Sequence, residues 1–366
     1  MAVPIIDLVR QYQTIKDEID GAIARVLSHG MFVLGKEVKE FEELAAQKCN
    51  ASEAVGVASG SDALLLALHA LGIGAGDEVI VPTFTFFATA SCVSRLGATP
   101  VFCDIGDDYN LDPKDVAKRL TKRTRAIIAV ELYGQMPDME ALRTLCYDRG
   151  LYLIEDAAQS IGATYEGALA GSCGDVACFS FFPTKNLGAA GDGGMVTTDM
   201  HEVAELVRLL RGHGAHPKYY HRLVGYNSRL DAIQAAILKA KLPHLDRWTE
   251  MRRAHAGVYD RELSGVGDIQ TPIRRENAYH IFHQYTIATS RRDALRQRLS
   301  EAKIGSEIYY PLPLHLQECY SYLGGRPGHC PKAEKAAATA LSIPIFPEMT
   351  QNEQGEVIGT IKQFFR

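Results

Sequence analysis

Lys185 stands in the run Ser180-Phe181-Phe182-Pro183-Thr184-Lys185-Asn186-Leu187-Gly188, ahead of Gly191-Asp192-Gly193-Gly194. Upstream, the apolar run Gly150-Leu151-Tyr152-Leu153-Ile154 ends in Glu155-Asp156-Ala157-Ala158-Gln159-Ser160. The order is a buried strand ending in a carboxylate, then a hydroxyl, then a lysine among small residues. These are the parts that hold pyridoxal phosphate: an amine to capture its aldehyde, an acid for its ring nitrogen and a hydroxyl for its phosphate. The plain alternative is a solvated surface lysine, the fate of most lysines. The apolar segment Cys178-Phe179-Ser180-Phe181-Phe182 just before it weighs against that reading.

The neighbours divide in the same way. Asp156 can pair with a pyridinium nitrogen or cap a helix. Glu155 competes for the ring, and strand alternation lets only one of the two point into a site. Gln159, three residues on, can face the ring's phenolic oxygen. Ala58-Ser59-Gly60-Ser61-Asp62 opens a helix, where free N–H groups attract an anion; the same residues also make an ordinary cap. In Pro82-Thr83-Phe84-Thr85-Phe86-Phe87 one aromatic can stack on a flat ring, and at least one must be core. His213, His216 and His221 have no carboxylate or cysteine at ligand spacing, so no metal site is read. Their loop, with Lys218, Tyr219 and Tyr220, suits an anionic ligand such as a diphosphate. Asp192 is expected to fix its own loop through backbone hydrogen bonds. Arg229 can grip a carboxylate or phosphate with its fork, or brace the helix that starts near Asp231, with equal weight.

The elements that carry these residues alternate from about Ser59 to Thr198. Helices are expected at Ser61 to Leu71 and Asp138 to Arg149, and strands at 78–82, 99–104, 126–130 and 151–154. The unbroken apolar run Ala126-Ile127-Ile128-Ala129-Val130 is that of a strand covered on both faces. This is an α/β pattern with a mostly parallel sheet. After about Gly225 the texture changes. Helices are expected at 231–242, 245–263, 293–302, 332–341 and 354–365, and strands at 284–288 and 306–311. The division expected is a large unit, 1–243, and a smaller α+β unit, 244–366.

The chain has 366 residues, 46% hydrophobic and 23% charged, with a net charge of −5. That is the composition of a folded globular protein, with no basic excess for nucleic acid. No apolar stretch reaches the ~18 residues of a membrane span, and no signal peptide is read at the N-terminus. Eight cysteines are scattered with no Cys-x-x-Cys pair, so a reduced, cytoplasmic setting is expected.

Taken in order, Gly60-Ser61-Asp62-Ala63-Leu64, Glu155-Asp156-Ala157-Ala158-Gln159, Ser180-Phe181-x-x-x-Lys185 and Gly225-Tyr226-Asn227-Ser228-Arg229-Leu230 resemble the sugar aminotransferases of the DegT/DnrJ/StrS type. The resemblance covers nearly the whole chain. It implies the type I fold of pyridoxal-phosphate-dependent transferases, aspartate-aminotransferase-like, with a mostly parallel seven-stranded sheet and a smaller C-terminal domain. It implies that Lys185 links to the cofactor, Asp156 meets the ring nitrogen, Gln159 approaches the phenolic oxygen and Phe86 lies on the ring. Ser180 with Gly60 and Ser61 would hold the phosphate. Asn227 would reach the phosphate of a neighbouring subunit, making a homodimer with shared sites. Tyr219, Arg229, Tyr309, Tyr310 and His315 would meet the substrate.

Asp62 and Gly191-Asp192-Gly193-Gly194 resemble the branch that aminates a 3-keto nucleotide sugar, closest to UDP-2-acetamido-3-keto-glucuronate aminotransferases. The implied reaction moves an amino group from glutamate to C3 of a UDP-2-acetamido-3-keto-hexuronate, for a cell-surface polysaccharide. The alternatives are a dTDP-3-keto-6-deoxyhexose 3-aminotransferase, a 4-keto sugar enzyme, a cyclitol enzyme or a cofactor-bound regulator. A sugar dehydratase of this family would carry histidine in place of Lys185.

Overall fold

The computed structural model describes residues 2–366. Its strands in chain order are β1 (Glu53–Val57), β2 (Glu78–Pro82), β3 (Thr99–Cys103), β4 (Thr124–Val130), β5 (Tyr152–Asp156), β6 (Thr164–Tyr165), β7 (Ala168–Leu169), β8 (Val176–Ser180), β9 (Gly194–Thr198), β10 (Ala278–Tyr279), β11 (Tyr285–Ala288) and β12 (Ala340–Ile343). Seven of them form one sheet in the order β1-β9-β8-β5-β4-β2-β3. β2, β3, β4, β5 and β8 run parallel, and β9 is antiparallel to both β1 and β8.

Helices cover both faces, which is why the strands are apolar throughout rather than alternating. In β4, Ala126, Ile128 and Val130 join one core cluster, and Ile127 and Ala129 join the cluster on the opposite face. Burying each isoleucine there contributes about 1.5–3 kcal/mol relative to leaving it exposed. The helix Gly60–Ala70 lies between β1 and β2 and buries Ala63 to Leu68 without a break. In sequence β2 is followed outward by β3, whereas β4 lies on the other side of β2. Such a reversal opens a crevice at the carboxyl ends of the strands, where ligands of open α/β sheets collect.

β11 and β12 form a separate antiparallel pair. Around it packs a third core of Tyr259, Leu263, Phe282, Tyr285, Leu295, Leu341, Phe346 and Val357. Val3 joins this core and bridges Ile304, so the first residues of the chain pack with its last third. The long helix Leu245–Leu263 has the expected bounds. We propose the boundary between the two units at 243/244, within the 3-10 turn Leu242–His244.

Two expected elements differ. Residues 306–311 are not a strand: Glu307 makes one bridge to Ser342, and the chain then turns toward the crevice. Pro311 has no N–H to extend a ladder. The helix expected at 332–341 runs Pro331–Thr339, and its last two positions belong to β12 instead. Pairing with β11 and complete burial of Ala340 to Ile343 outweigh the helical preference of an alanine-rich run.

Candidate active site

Segments at the carboxyl ends of β1, β2, β4, β5 and β8 converge on the crevice. After β1, the Ser59 hydroxyl accepts from the Asp62 N–H at 3.1 Å and starts the helix Gly60–Ala70. That helix end lies directly against the end of β8. A Cβ on Gly60 would stand 2.7 Å from Ser180 Cβ, and one on Gly194 would stand 2.3 Å from the Ser59 carbonyl carbon. Only bare backbone permits this approach. The result is a cradle of helix N–H groups facing a serine hydroxyl, which is the chemistry a phosphate needs.

Asp156 ends β5 and is 6% exposed. Its Oδ2 accepts from Thr89 Oγ1 at 2.7 Å and its Oδ1 from the Ala158 N–H at 3.4 Å. Burial pushes its carboxyl above the usual range, opposed by the Thr89 hydroxyl and by Lys185. Burial lowers the Lys185 amine to about 8, against the attraction of Asp156. A carboxylate and a readily deprotonated amine therefore stand within electrostatic reach across the crevice.

Glu155 points the other way, as alternation requires. Its carboxylate accepts from the N–H groups of Gly171, Cys173 and Gly174 at 2.9, 2.8 and 2.6 Å. Those three bonds occupy it, so it is not free to meet a ring. Beside it, burial and the Glu155 charge hold the Glu131 carboxyl well above the usual range. The Ser160 hydroxyl donates to Glu131 Oε2.

Gln159 is fixed from two sides. Its Oε1 accepts from the Tyr133 N–H at 2.7 Å, and its Nε2 donates to the Tyr310 hydroxyl at 3.3 Å. Tyr309 is tied in through its carbonyl, which accepts from the Tyr133 hydroxyl. Phe86 is 57% exposed, with its ring centroid 6.2 Å from that of Tyr310, whereas Phe84 is core. His315 is buried: Nδ1 meets Thr83 Oγ1 at 2.7 Å and Nε2 meets Glu334 Oε1 at 3.2 Å. With both nitrogens engaged inside the chain, it braces the Thr83–Phe87 loop rather than presenting a free nitrogen to a substrate.

Asn227, Tyr219 and Tyr220 are exposed on the long loop before the helix Ala232–Lys241. Ser228 anchors this loop, donating to Asp62 Oδ2 at 2.8 Å and accepting from the Ala58 N–H. Among the described residues, Arg229 makes no hydrogen bond or ion pair within the chain. Asp192 is exposed and, among the described residues, makes no backbone hydrogen bond, contrary to expectation. Its loop is held instead by Phe181 N–H to the Gly193 carbonyl, at 2.8 Å, and by Gln234 Oε1 accepting from Ala190 N–H.

Three supporting residues escaped the sequence reading. Thr89 holds Asp156, Tyr133 holds Gln159, and Lys241 donates to the Gly188 carbonyl at 2.7 Å, bracing the lysine loop from below. Thr85 and Thr89, one helical turn apart and 3.1 Å from each other, left a faint local signal. The other two contacts span 26 and 53 residues and left none.

The DegT/DnrJ/EryC1/StrS aminotransferase family model matches residues 13–362. A Geobacillus stearothermophilus protein named a pleiotropic regulatory protein is 51% identical, over 100% of this chain and 99% of its own length. A UDP-N-acetyl-3-dehydro-alpha-D-glucosamine 3-aminotransferase of Acidithiobacillus ferrooxidans is 46% identical, over 99% and 98%. A dTDP-3-amino-3,4,6-trideoxy-alpha-D-glucose transaminase of Streptomyces venezuelae is 45% identical, over 99% and 96%. Among solved structures, S. venezuelae DesV superposes with a TM-score of 0.98 at 45% identity, over 100% of this chain and 99% of that one.

Proposed function

The chain belongs to the DegT/DnrJ/EryC1/StrS family of pyridoxal-phosphate-dependent aminotransferases, and from that premise we propose that it transfers an amino group from glutamate to C3 of a UDP-linked 2-acetamido-3-keto sugar. The observation that carries this reading is Lys185 and Asp156 facing one crevice beside the Gly60–Ser180 cradle.

The residues fit the cofactor. The helix start at Gly60 and Ser61, with Ser180, would hold its phosphate. Asp156, kept in place by Thr89, would sit opposite its ring nitrogen. Gln159 would lie near its phenolic oxygen and Phe86 over its face. Bound pyridoxal phosphate supplies an aldehyde that takes up amines and an electron-poor ring that spreads negative charge. The chain supplies the proton chemistry. With its amine lowered to about 8, Lys185 Nζ is available at neutral pH to take a proton from the donor's carbon and return it to the acceptor's. The Asp156 charge is preorganised in a dry site, where such a charge counts most.

The site is proposed to be shared between two copies. The exposed Asn227 and the half-buried, unpaired Arg229 lie near Met31-Phe32-Val33-Leu34, four exposed apolar residues joined to the same helix start by the Ala232 N–H to the Phe32 carbonyl. An apolar run beside unpaired polar groups is the surface a second copy would cover. Arg229 would then grip a diphosphate or a sugar carboxylate. The hexuronate form of the substrate is supported by this arginine, by the Asp62 and Asp192-Gly193-Gly194 segments, and by a UDP-2-acetamido-2-deoxy-3-oxo-D-glucuronate aminotransferase of Pseudomonas aeruginosa that is 42% identical over 94% of this chain and 95% of its own length, whereas the Acidithiobacillus relative's name carries no uronate. The Streptomyces relative at 45% identity favours a second reading, a dTDP-linked 3-keto deoxysugar. No helix among the described residues is long and apolar enough to cross a membrane, and we place the reaction in the cytoplasm.

The test runs the reaction backward. Holoenzyme with 2-oxoglutarate is offered UDP- and dTDP-linked 3-amino and 4-amino sugars, with and without a C6 carboxylate. Glutamate should form from the UDP-linked 3-amino sugars. Discharge of 4-amino sugars alone overturns the regiochemistry, and a preference for dTDP establishes the second reading. Glutamate alone should also change the visible absorbance of the holoenzyme, which separates an enzyme from a regulator.

A further inference from the structure

The residue that follows the lysine is held from across the crevice. Asn186 is buried; its Oδ1 lies 3.0 Å from His283 Nδ1, and its Nδ2 reaches toward the Ile281 carbonyl at 3.5 Å. An amide oxygen only accepts, so the imidazole carries its hydrogen on Nδ1. Burial, with Lys185 and Arg252 nearby, holds the His283 ring neutral, well below its usual range.

The backbone around His283 is pinned from two directions. Arg252, itself buried, donates to the carbonyls of Phe282 at 3.3 Å, His283 at 3.3 Å and Ile345 at 2.8 Å. On the other flank, a Cβ on Gly134 would stand 2.7 Å from Ile281 Cγ1, 3.0 Å from His283 N and 3.1 Å from the Gln159 carbonyl. Segment 281–284 is thus wedged between the lysine loop and the Tyr133–Gln159 contact. It leads directly into β11, so one short segment joins the second sheet to both sides of the crevice.

We propose that His283 is a positioning residue for Lys185: by donating from Nδ1 to Asn186 it fixes the loop that aims the amine, and through Arg252 it ties that aim to the C-terminal unit. The proposal rests on Lys185 being the cofactor lysine. Its geometry separates two ordinary replacements. An asparagine offers an N–H near the place of Nδ1, whereas a glutamine offers one near Nε2.

Holoenzymes carrying His283→Asn, His283→Gln, Asn186→Leu, the double change His283→Gln with Asn186→Leu, and Lys185→Ala are compared with the parent. Three quantities are read: the pH midpoint of the cofactor's visible band, the melting temperature, and kcat and KM for glutamate. His283→Gln and Asn186→Leu should raise the midpoint, because water reaching the lysine nitrogen at its link to the cofactor favours that nitrogen's charged form. They should lower kcat by roughly ten- to a hundredfold while KM changes little. His283→Asn should keep the midpoint and most of kcat. The double variant should be no worse than the worse single one, because both lesions break one contact. The proposal is overturned if His283→Gln moves only the melting temperature, if His283→Asn is as impaired as His283→Gln, or if the two losses add. Retention of the visible band by Lys185→Ala would instead remove the assignment of Lys185 itself.

Discussion

Asp156 and Lys185 are both withdrawn from water, and burial moves them in opposite directions: the carboxyl up, the amine down to about 8. For the amine, the unfolded chain binds more protons than the folded one between about pH 8 and its ordinary value near 10.5. Stability therefore rises with pH across that window, and below it the buried charge is a burden. Cofactor-free Lys185→Met should accordingly be more stable than the cofactor-free parent at pH 7, by on the order of 1–3 kcal/mol. That advantage should shrink as the pH rises through the window; denaturant unfolding at several pH values measures it. Asp156→Asn should keep the fold and lose turnover by about 3 kcal/mol in the barrier, since the amide carries no charge. Glu155→Gln should behave differently. It puts an amide where three N–H groups converge, so it should destabilise by roughly 1–3 kcal/mol and leave the cofactor's spectrum unchanged. A Glu155→Gln protein that is fully stable but spectrally altered would exchange the two carboxylates' roles.

The contact between the helix Gly60–Ala70 and the end of β8 leaves no room for a side chain at Gly60. Gly60→Ala places a Cβ 2.7 Å from Ser180 Cβ. It should weaken pyridoxal phosphate binding, followed by absorbance titration, and cost about 1–3 kcal/mol in stability. Gly194→Ala meets backbone at 2.3 Å rather than a side chain and should be the more damaging of the two. These elements were legible because their signals are local. The run 126–130 reads as a two-sided strand, and the spacing within 245–263 reads as a helix with the bounds observed. Ser306-Glu307-Ile308-Tyr309-Tyr310 alternates like a strand, but a strand also needs a free edge beside it, and only Glu307 finds one. Ala340 and Leu341 continue an alanine-rich helix in sequence, and only their partners in β11 reveal a strand. The site divides the same way. Lys185, Asp156 and the Gly60 turn announce themselves through short motifs. Thr89, Tyr133, Lys241 and His283 act through contacts to distant segments. His315 is expected at the substrate from the resemblance, yet its two nitrogens meet Thr83 and Glu334.

In the whole molecule, the loop from His213 to Arg229 leaves Tyr219, Tyr220 and Val224 exposed and is tied to the start of the helix Gly60–Ala70 through Ser228 and Asp62. The proposed two-fold dimer with shared sites would cover these exposed side chains. Lys185→Ala and Asn227→Leu, each inactive alone, should recover about one quarter of parental activity after subunits are exchanged, since half the dimers are mixed and each has one intact site. No recovery after confirmed exchange would mean that each copy completes its own site.

The most direct test of the account is chemical. Holoenzyme is reduced with borohydride, digested and mapped by mass spectrometry. The amine of Lys241 is also lowered to about 8 by burial and lies against the same loop through Gly188, so the chain contains a true chemical competitor. One pyridoxyl label per chain on the peptide that contains Lys185 is the predicted result. A label on Lys241 or any other lysine, with Lys185 unmodified, would contradict the account at its centre.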